Sequence, residues 1–126
     1  MKPFKVAPLA ERQLLGRSFA SKGERDCYAM LKLREKAGEI DSIECQVTTQ
    51  LTAGLTHKTD FKYWDLKRGE TIWCEYKGFV DQRWRDIKKL WKFYGPGPLR
   101  VYCGYGLRMR LLDEIIPDKC KTIPKP

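Results

Sequence analysis

Long apolar segments are missing from the sequence. Charged residues interrupt every hydrophobic stretch well short of the ~20 residues that a membrane-spanning helix needs. The first residues contain no apolar stretch of the kind that a secretory signal carries, so we expect a cytoplasmic protein. Hydrophobic residues make up 42% and charged residues 33% of the chain, and this globular composition excludes a disordered or collagen-like protein.

Patterns typical of metal-binding and disulfide-rich domains are also missing. The five cysteines are odd in number and widely spaced, with no C-x-x-C pair. This argues against a zinc site or a disulfide framework and favours a reducing compartment. The one histidine, His57, falls in a predicted turn, where we favour an ordinary loop residue over a general base. The short pattern Gly104-Tyr105-Gly106 does not by itself indicate a nucleotide-binding loop.

Acidic residues are too few to balance the basic ones. Lys and Arg total 25 against 16 Asp and Glu, so the formal net charge is +9 and the pI is about 9.4. Such an excess favours a polyanionic partner, and we favour nucleic acid over an anionic membrane because no strongly amphipathic basic terminal helix is predicted. The length of 126 residues suits one domain. We place a basic N-terminal arm at residues 1–20 and a single domain at residues 21–126.

Hydrophobic periodicity predicts an α/β domain with a mixed sheet flanked by helices. The S-x-x-E pattern of Ser21 and Glu24 is typical of a helix N-terminus, where Glu24 would interact favourably with the helix dipole. Alternation along the first strand predicts its apolar residues, from Ile43 to Leu51, on one face and Gln46 on the other. The predicted order is a helix at residues 21–37, strands at 43–51, 58–66 and 71–79, a helix at 81–94, a strand at 99–105, and a short helix or strand at 107–116.

The second and third strands are predicted to form a hairpin that carries three chemically active side chains. Glu75 and Lys77 lie two residues apart and therefore project from the same face. A loop of two or four residues centred between Lys67 and Arg68 would place Asp60 opposite Glu75, with Cβ atoms about 4.5–5.5 Å apart. A three-residue loop with a bulge would instead place Asp60 on the other face.

Two neighbouring carboxylates and a lysine suit a divalent metal site. Asp60 and Glu75 would repel each other unless a cation lay between them, and Mg²⁺ prefers carboxylates together with waters and phosphate oxygens. The metal could activate water for attack on phosphorus, while Lys77 would orient that water and stabilise developing negative charge. Oxygen ligands suit Mn²⁺ as well. The alternative is a solvated hairpin face with an ordinary Glu–Lys pair.

Several short motifs between residues 18 and 105 resemble a known nuclease family. They are Ser21-Lys22-Gly23-Glu24, the segment from Leu33 to Gly38-Glu39-Ile40, Gln46, Thr59-Asp60-Phe61-Lys62-Tyr63 and Glu75-Tyr76-Lys77-Gly78-Phe79. Together they resemble the PD-(D/E)XK nuclease superfamily, and more closely a small phage-encoded nuclease-like family that is grouped with Holliday junction resolvases. One departure is Thr59, which stands where the superfamily name has proline.

The resemblance implies a restriction-endonuclease-like core and a role for each matched residue. Asp60 and Glu75 would be metal ligands, and Lys77 would be the catalytic lysine. Glu24 would be the helix carboxylate that reaches a second metal position or its water. Gln46 would be a polar strand residue near the site.

The predicted helix at residues 81–94 carries a cationic face suited to phosphate contacts, which position nucleic acid without reading its sequence. We expect the opposite face of this helix, formed by Trp84, Ile87, Trp91 and Tyr94, to pack inward. The alternative is a solvated helix face that binds nothing. The candidate nucleic-acid-binding residues are Lys22, Arg83, Arg85, Lys88, Lys89 and Lys92.

These expectations combine into a Mg²⁺-dependent DNA endonuclease that hydrolyses phosphodiester bonds. The resemblance favours branched DNA, especially four-way junctions, and a location in the bacterial host if the chain is phage-encoded. Cutting two symmetric strands needs two active sites, so a twofold homodimer is expected with that substrate. One alternative is a nicking or restriction-like endonuclease that acts on duplex or flap DNA. Another is a non-catalytic DNA-binding module of the same fold.

Overall fold

The computed structural model describes residues 7–120 and contains a five-stranded mixed sheet with helices packed on both faces. Its elements are β1 (Gln13–Leu14), β2 (Arg17–Ser18), α1 (Lys22–Lys36), β3 (Ile40–Thr52), β4 (Leu55–Asp65), β5 (Glu70–Tyr76), α2 (Gln82–Tyr94), β6 (Leu99–Cys103) and β7 (Arg110–Ile115). The sheet order is β3-β4-β5-β6-β7, in which β5 and β6 are parallel and the other neighbours are antiparallel. The predicted α/β class is confirmed. None of the helices within residues 7–120 has the length and apolar character needed to span a membrane.

Each helix begins at the capping residue that its sequence contains. The Ser21 hydroxyl accepts a hydrogen bond from the Glu24 N–H at 3.0 Å and starts α1. The Asp81 carboxylate accepts one from the Trp84 N–H at 2.8 Å and starts α2, so Asp81 is the cap and not the first helical residue. Gly95 ends α2, as the Gly-Pro-Gly-Pro sequence predicts.

The two helices build separate cores on opposite faces of the sheet. On β5, Ile72 and Cys74 pack in the α1 core, whereas Trp73 packs in the α2 core. The hairpin face that carries Glu75 is therefore covered by α2, and only 2% of Glu75 is exposed. The α1 core also contains Phe19, Cys27, Tyr28, Leu31, Ile40, Phe61, Tyr63 and Tyr102, and the α2 core contains Leu51, Trp84, Ile87, Trp91, Leu99, Val101 and Ile115.

The inward position predicted for Tyr94 is wrong, because 49% of this residue is exposed. Tyr94 is the last residue of α2, directly before Gly95, and its ring lies 6.4 Å from that of Phe93, which is also exposed. Trp91 fills the core at this end of the helix, and its indole N–H donates to the Gly97 carbonyl at 2.8 Å.

The long strand β3 does not pack against the same core along its whole length. Ile43 and Cys45 pack against the α1 core, but Leu51 belongs to the α2 core. These residues form the more buried side of the strand, as predicted, but they do not share one core. Gln46 has a φ of 56°, in the left-handed region, and the register with β4 shifts again between Gln50 and Thr52. Burial still alternates in steps of two from Ile43 to Leu51, so the strand passes from one core to the other without losing its alternation.

The β4–β5 hairpin has the predicted register. Phe61 pairs with Cys74 and Asp65 with Glu70, which leaves a loop of residues 66–69. The Asp65 carboxylate accepts hydrogen bonds from the N–H groups of Lys67 and Arg68 and fixes this turn. At its other end β4 starts earlier than predicted, at Leu55, so the turn expected over residues 53–57 shrinks to residues 53 and 54.

Part of the predicted N-terminal arm packs on the domain. A short turn at Leu9–Arg12 leads into the two-stranded β1–β2 sheet. Phe19 follows and is buried, with its ring 5.0 Å from that of Tyr28. Residues 1–6 of the arm lie outside the described residues. At the other end, the segment predicted as a helix or strand forms the edge strand β7.

Candidate active site

The candidate acids meet where β4 and β5 separate. The ladder between β4 and β5 extends as far as Phe61 and Cys74, whereas the pairing of β5 with β6 begins at Trp73 and continues to Tyr76. At this point the Tyr76 N–H donates to Asp60 Oδ2 at 2.8 Å, while the Lys77 N–H donates to the Tyr102 carbonyl at 2.8 Å. The Asp60 side chain therefore replaces a strand partner of β5, which holds its carboxylate between the two strands.

Asp60 lies in an environment that disfavours its charge. Burial, followed by the nearby charge of Glu24, raises the pKa of Asp60 from 3.8 to about 7. The hydrogen bond from the Tyr76 N–H opposes this shift, and the charge of Glu75 adds to it. Three carboxylates from α1, β4 and β5 thus lie close enough to interact electrostatically.

Glu24 enters the site from the first turn of α1. It is 5% exposed, and its Oε1 accepts a hydrogen bond from the Gln46 side-chain amide at 2.9 Å. Burial raises the pKa of Glu24, whereas hydrogen bonds with the Ala20 backbone and Gln46 act against that increase. Gln46 reaches Glu24 from a left-handed backbone conformation that costs a non-glycine residue roughly 1–2 kcal/mol. Gln46 is the polar strand residue that the family resemblance implies near the site, and the backbone strain lies at this same residue.

Close approach of α1 to the end of β5 depends on Gly23. A Cβ atom at this position would lie 2.0 Å from the ring of Tyr76. The missing side chain lets the Tyr76 ring lie against the first turn of the helix that carries Glu24. Sequence reasoning included Gly23 in a motif but gave it no such role.

Glu75 is held by two groups of different chemistry. Its Oε1 lies 2.7 Å from His57 Nε2, and its Oε2 lies 3.8 Å from Lys77 Nζ, which is beyond hydrogen-bond distance. Glu75 Oε2 is buried and has no hydrogen-bond partner among the described residues. The Lys77 ammonium also lies 4.9 Å from the centre of the Trp84 ring, so a cation–π contact fixes it beside the acids.

His57 is the residue of this site that sequence reasoning missed. It lies in β4 and not in a turn, contacts Glu75, and has its ring 6.4 Å from that of Trp84. The available signal was the short Ala53-Gly54 turn. After a two-residue turn, the strand that pairs with β3 begins directly at Leu55, and β4 therefore includes His57.

The candidate phosphate-binding cations lie mainly on the outer face of α2. Trp84 anchors the start of this helix beside Lys77, so its first turn lies next to the acids. Lys88 pairs with Asp113 of β7 and is thereby partly neutralised. Lys22 lies apart from these cations, on α1, with its ammonium 5.6 Å from the ring centre of Tyr105. The remaining four, Arg83, Arg85, Lys89 and Lys92, are exposed and form no ion pair with the described part of the chain.

Within residues 7–120 no group of three or more His, Cys, Asp or Glu side chains is already arranged as a metal-binding set. The acids nevertheless fit a cation, because their charges oppose one another at Asp60 and one buried oxygen of Glu75 lacks a hydrogen bond. Comparisons of the chain with protein-family models, with curated proteins and with solved structures find no match.

Proposed function

We propose that this protein is a metal-dependent DNA endonuclease of the PD-(D/E)XK superfamily, with a restriction-endonuclease-like core and branched DNA as its preferred substrate. The main support is the meeting of Glu24, Asp60 and Glu75 with Lys77, from three elements that are distant in sequence. Burial and neighbouring negative charge raise the pKa of Asp60 and of Glu24, and ionised carboxylates in such surroundings reduce folding stability, so their presence together favours a role that needs negative charge.

A divalent cation would compensate for the repulsion in this cluster. Asp60 and Glu75 would hold it through their carboxylate oxygens, and Glu24 would act directly or through a bound water. Mg²⁺ suits such oxygen ligands, and Mn²⁺ can substitute for it. When bound, the ion would favour hydroxide at neutral pH and neutralise charge on the leaving oxygen.

The protein's own residues would orient the other participants. Lys77 has a charged ammonium next to Glu75 and over Trp84, from which it can donate to a water or to a phosphate oxygen. His57 contacts one oxygen of Glu75, and the other oxygen, near Lys77, has no hydrogen-bond partner among the described residues. Gln46 restrains Glu24 in the same way.

The exposed cations of α2 would contact phosphates on either side of the cleaved bond. Such contacts position a duplex without reading its sequence. Four-way junctions are the favoured substrate because of the sequence resemblance, and a twofold homodimer would supply the two active sites that symmetric cleavage needs. A non-catalytic binder would gain nothing from buried carboxylates that face phosphate.

Cleavage assays test this proposal. The purified protein is incubated with a four-way junction, a flap and a linear duplex, in Mg²⁺ or in EDTA. We expect paired, symmetric, Mg²⁺-dependent cuts in the junction, with a loss of at least about 100-fold for Glu75→Gln and for Lys77→Ala. Glu39→Gln is the matched control, because this glutamate is exposed and lies outside the site.

Each other outcome would change the proposed function or the assigned site. Equal cleavage of all three substrates would retain the nuclease and remove the preference for junctions. Tight binding without cleavage in either Mg²⁺ or Mn²⁺ would favour the non-catalytic DNA-binding module. Cleavage that persists in Glu75→Gln would refute the assigned site.

A further inference from the structure

A groove of about 650 Å³ runs between α1 and the strands β6 and β7. Its floor is apolar and includes Met30 and Met109, and the buried ring of Tyr102 also lines it. Tyr105 stands at one side and is 57% exposed. The volume lies in the range of roughly 300–1,000 Å³ that is typical of small-ligand sites. Neither the acids nor the cations of α2 contribute to this groove.

The rim of the groove is positively charged. Lys22, Arg25 and Arg110 line it together with a single carboxylate, that of Asp26. Asp26 is already neutralised, because it pairs with Arg25 at 2.6 Å and accepts the Gly106 N–H at 3.0 Å. Lys22 and Arg110 form no ion pair with any of residues 7–120. Two cations without a counter-ion therefore border an apolar, aromatic groove.

The groove begins next to the candidate active site. Lys22 and Glu24 both lie in the first turn of α1, where their spacing of two residues puts them about 160° apart, on opposite sides of the helix. One turn of helix, about 10 Å across, thus separates the rim of the groove from the acids. A DNA strand held at the acids would pass over the start of α1 and reach Lys22.

We propose that this groove binds unpaired nucleotides of the DNA strand next to the cleaved bond. A base would stack on Tyr105 over the methionine floor, and Lys22 and Arg110 would contact the flanking phosphates. Aromatic platforms bordered by cations bind single-stranded nucleic acid in this way, since every base has a flat π face. The position of the cut depends on the proposed function, whereas binding in the groove does not. A flap carries unpaired nucleotides beside its duplex, whereas a four-way junction would supply them only where base pairs open at its crossover.

A second copy of the chain fits the groove less well. In a twofold interface the same patch lies on both sides, and the one carboxylate that lines the groove, that of Asp26, is already paired with Arg25, so a second copy would add two more cations to a rim without a free acid. An anionic strand would instead supply negative charge, and charge complementarity therefore favours DNA.

Binding measurements in EDTA test the inference without any cleavage. Fluorescence anisotropy compares a blunt duplex with the same duplex carrying a short single-stranded overhang. We expect the wild-type protein to bind the overhang duplex more tightly, and Tyr105→Ala to lose about 5- to 100-fold in affinity for it. Arg110→Ala should weaken overhang binding in the same direction, with little change for the blunt duplex. Tyr94→Ala is the matched control, because it removes a similarly exposed tyrosine at the far end of α2.

Three results would overturn the inference. One is equal affinity of the wild type for both duplexes, and another is an equal loss on both in Tyr105→Ala. The third is a dimer in sedimentation that Leu111→Glu converts to a monomer, since Leu111 lines the groove and a partner copy would then occupy it. Cleavage without any overhang preference would reject this inference and keep the nuclease. A preference for the overhang without any cleavage would keep this inference and reject the nuclease.

Discussion

The unfavourable charge of Asp60 predicts that Asp60→Asn stabilises the protein and removes the proposed nuclease activity. Asparagine is close in shape to aspartate, and its side-chain oxygen can still accept the Tyr76 N–H. It cannot carry the negative charge that Glu24 and Glu75 oppose. A substitution in the core of a proposed active site should therefore increase the free energy of unfolding.

The size of the effect follows from the pKa of Asp60, which is 3.8 ordinarily and about 7 in the folded chain. The folded state binds the proton more tightly than the unfolded state, so wild-type stability falls as the pH rises between these values. At pH 8 the ionised carboxylate lowers the free energy of unfolding by about 4 kcal/mol, because a tenfold change in proton affinity corresponds to about 1.36 kcal/mol. At pH 5 the same group lowers the free energy of unfolding by less than about 2 kcal/mol. The advantage of Asp60→Asn should thus widen by about 2–3 kcal/mol between pH 5 and pH 8.

Urea denaturation in EDTA at both pH values measures this difference. Asp41→Asn serves as the matched control, because Asp41 is an exposed aspartate at the start of β3. Mg²⁺ at about 100 times its dissociation constant should stabilise the wild type by about 2.7 kcal/mol and leave Asp60→Asn unchanged. A stability gap that stays constant with pH would show that neighbouring charge and burial do not act on Asp60, and the reasoning would fail.

Three further pairs of variants test other parts of the structure. Gln46→Ala and Gln46→Gly both remove the hydrogen bond to the helix carboxylate, but only alanine keeps the left-handed strain, so the glycine variant should be about 1 kcal/mol more stable in urea. Gly104→Ala should lose at least about 1 kcal/mol more than Gly16→Ala in thermal melts. Both glycines have positive φ, but only at Gly104 would a Cβ lie 2.2 Å from a backbone oxygen, and equal losses would contradict that contact. Arg85→Ala should reduce the slope of log K against log salt for duplex DNA by about 1, while the exposed Lys36→Ala leaves it unchanged.

Local sequence signals predicted the hairpin because its turn chemistry and its strand pattern agree. Asp65 and Gly69 fix the loop, and the register that follows is the one that brings Asp60 beside the end of β5. The caps at Ser21 and Asp81 are equally local, so the helix starts were predicted to within a residue. Interactions between residues a few positions apart can be predicted from the sequence in this way.

Features that depend on packing between distant segments could not be read from one sequence. Leu51 packs in the α2 core, beyond the left-handed Gln46 and the later register shift of β3. The alternating sequence predicts neither of these irregularities. His57 contacts Glu75 across 18 positions, and its role depends on where β4 begins. Burial of Glu75 likewise requires α2 to cover the hairpin face, which a strand pattern does not reveal.

The distribution of charge links the proposed chemistry to the fold. The chain carries a net charge of +9, yet three of its carboxylates are gathered at one end of the sheet, where Asp60 resists ionisation. Phosphate would be repelled by these acids alone, so it can approach them only with compensating positive charge on both sides. That charge is available at Lys77, on the exposed face of α2 and at Lys22 on the rim of the groove. This arrangement favours an enzyme that brings a phosphodiester to its acids over a protein that merely binds DNA.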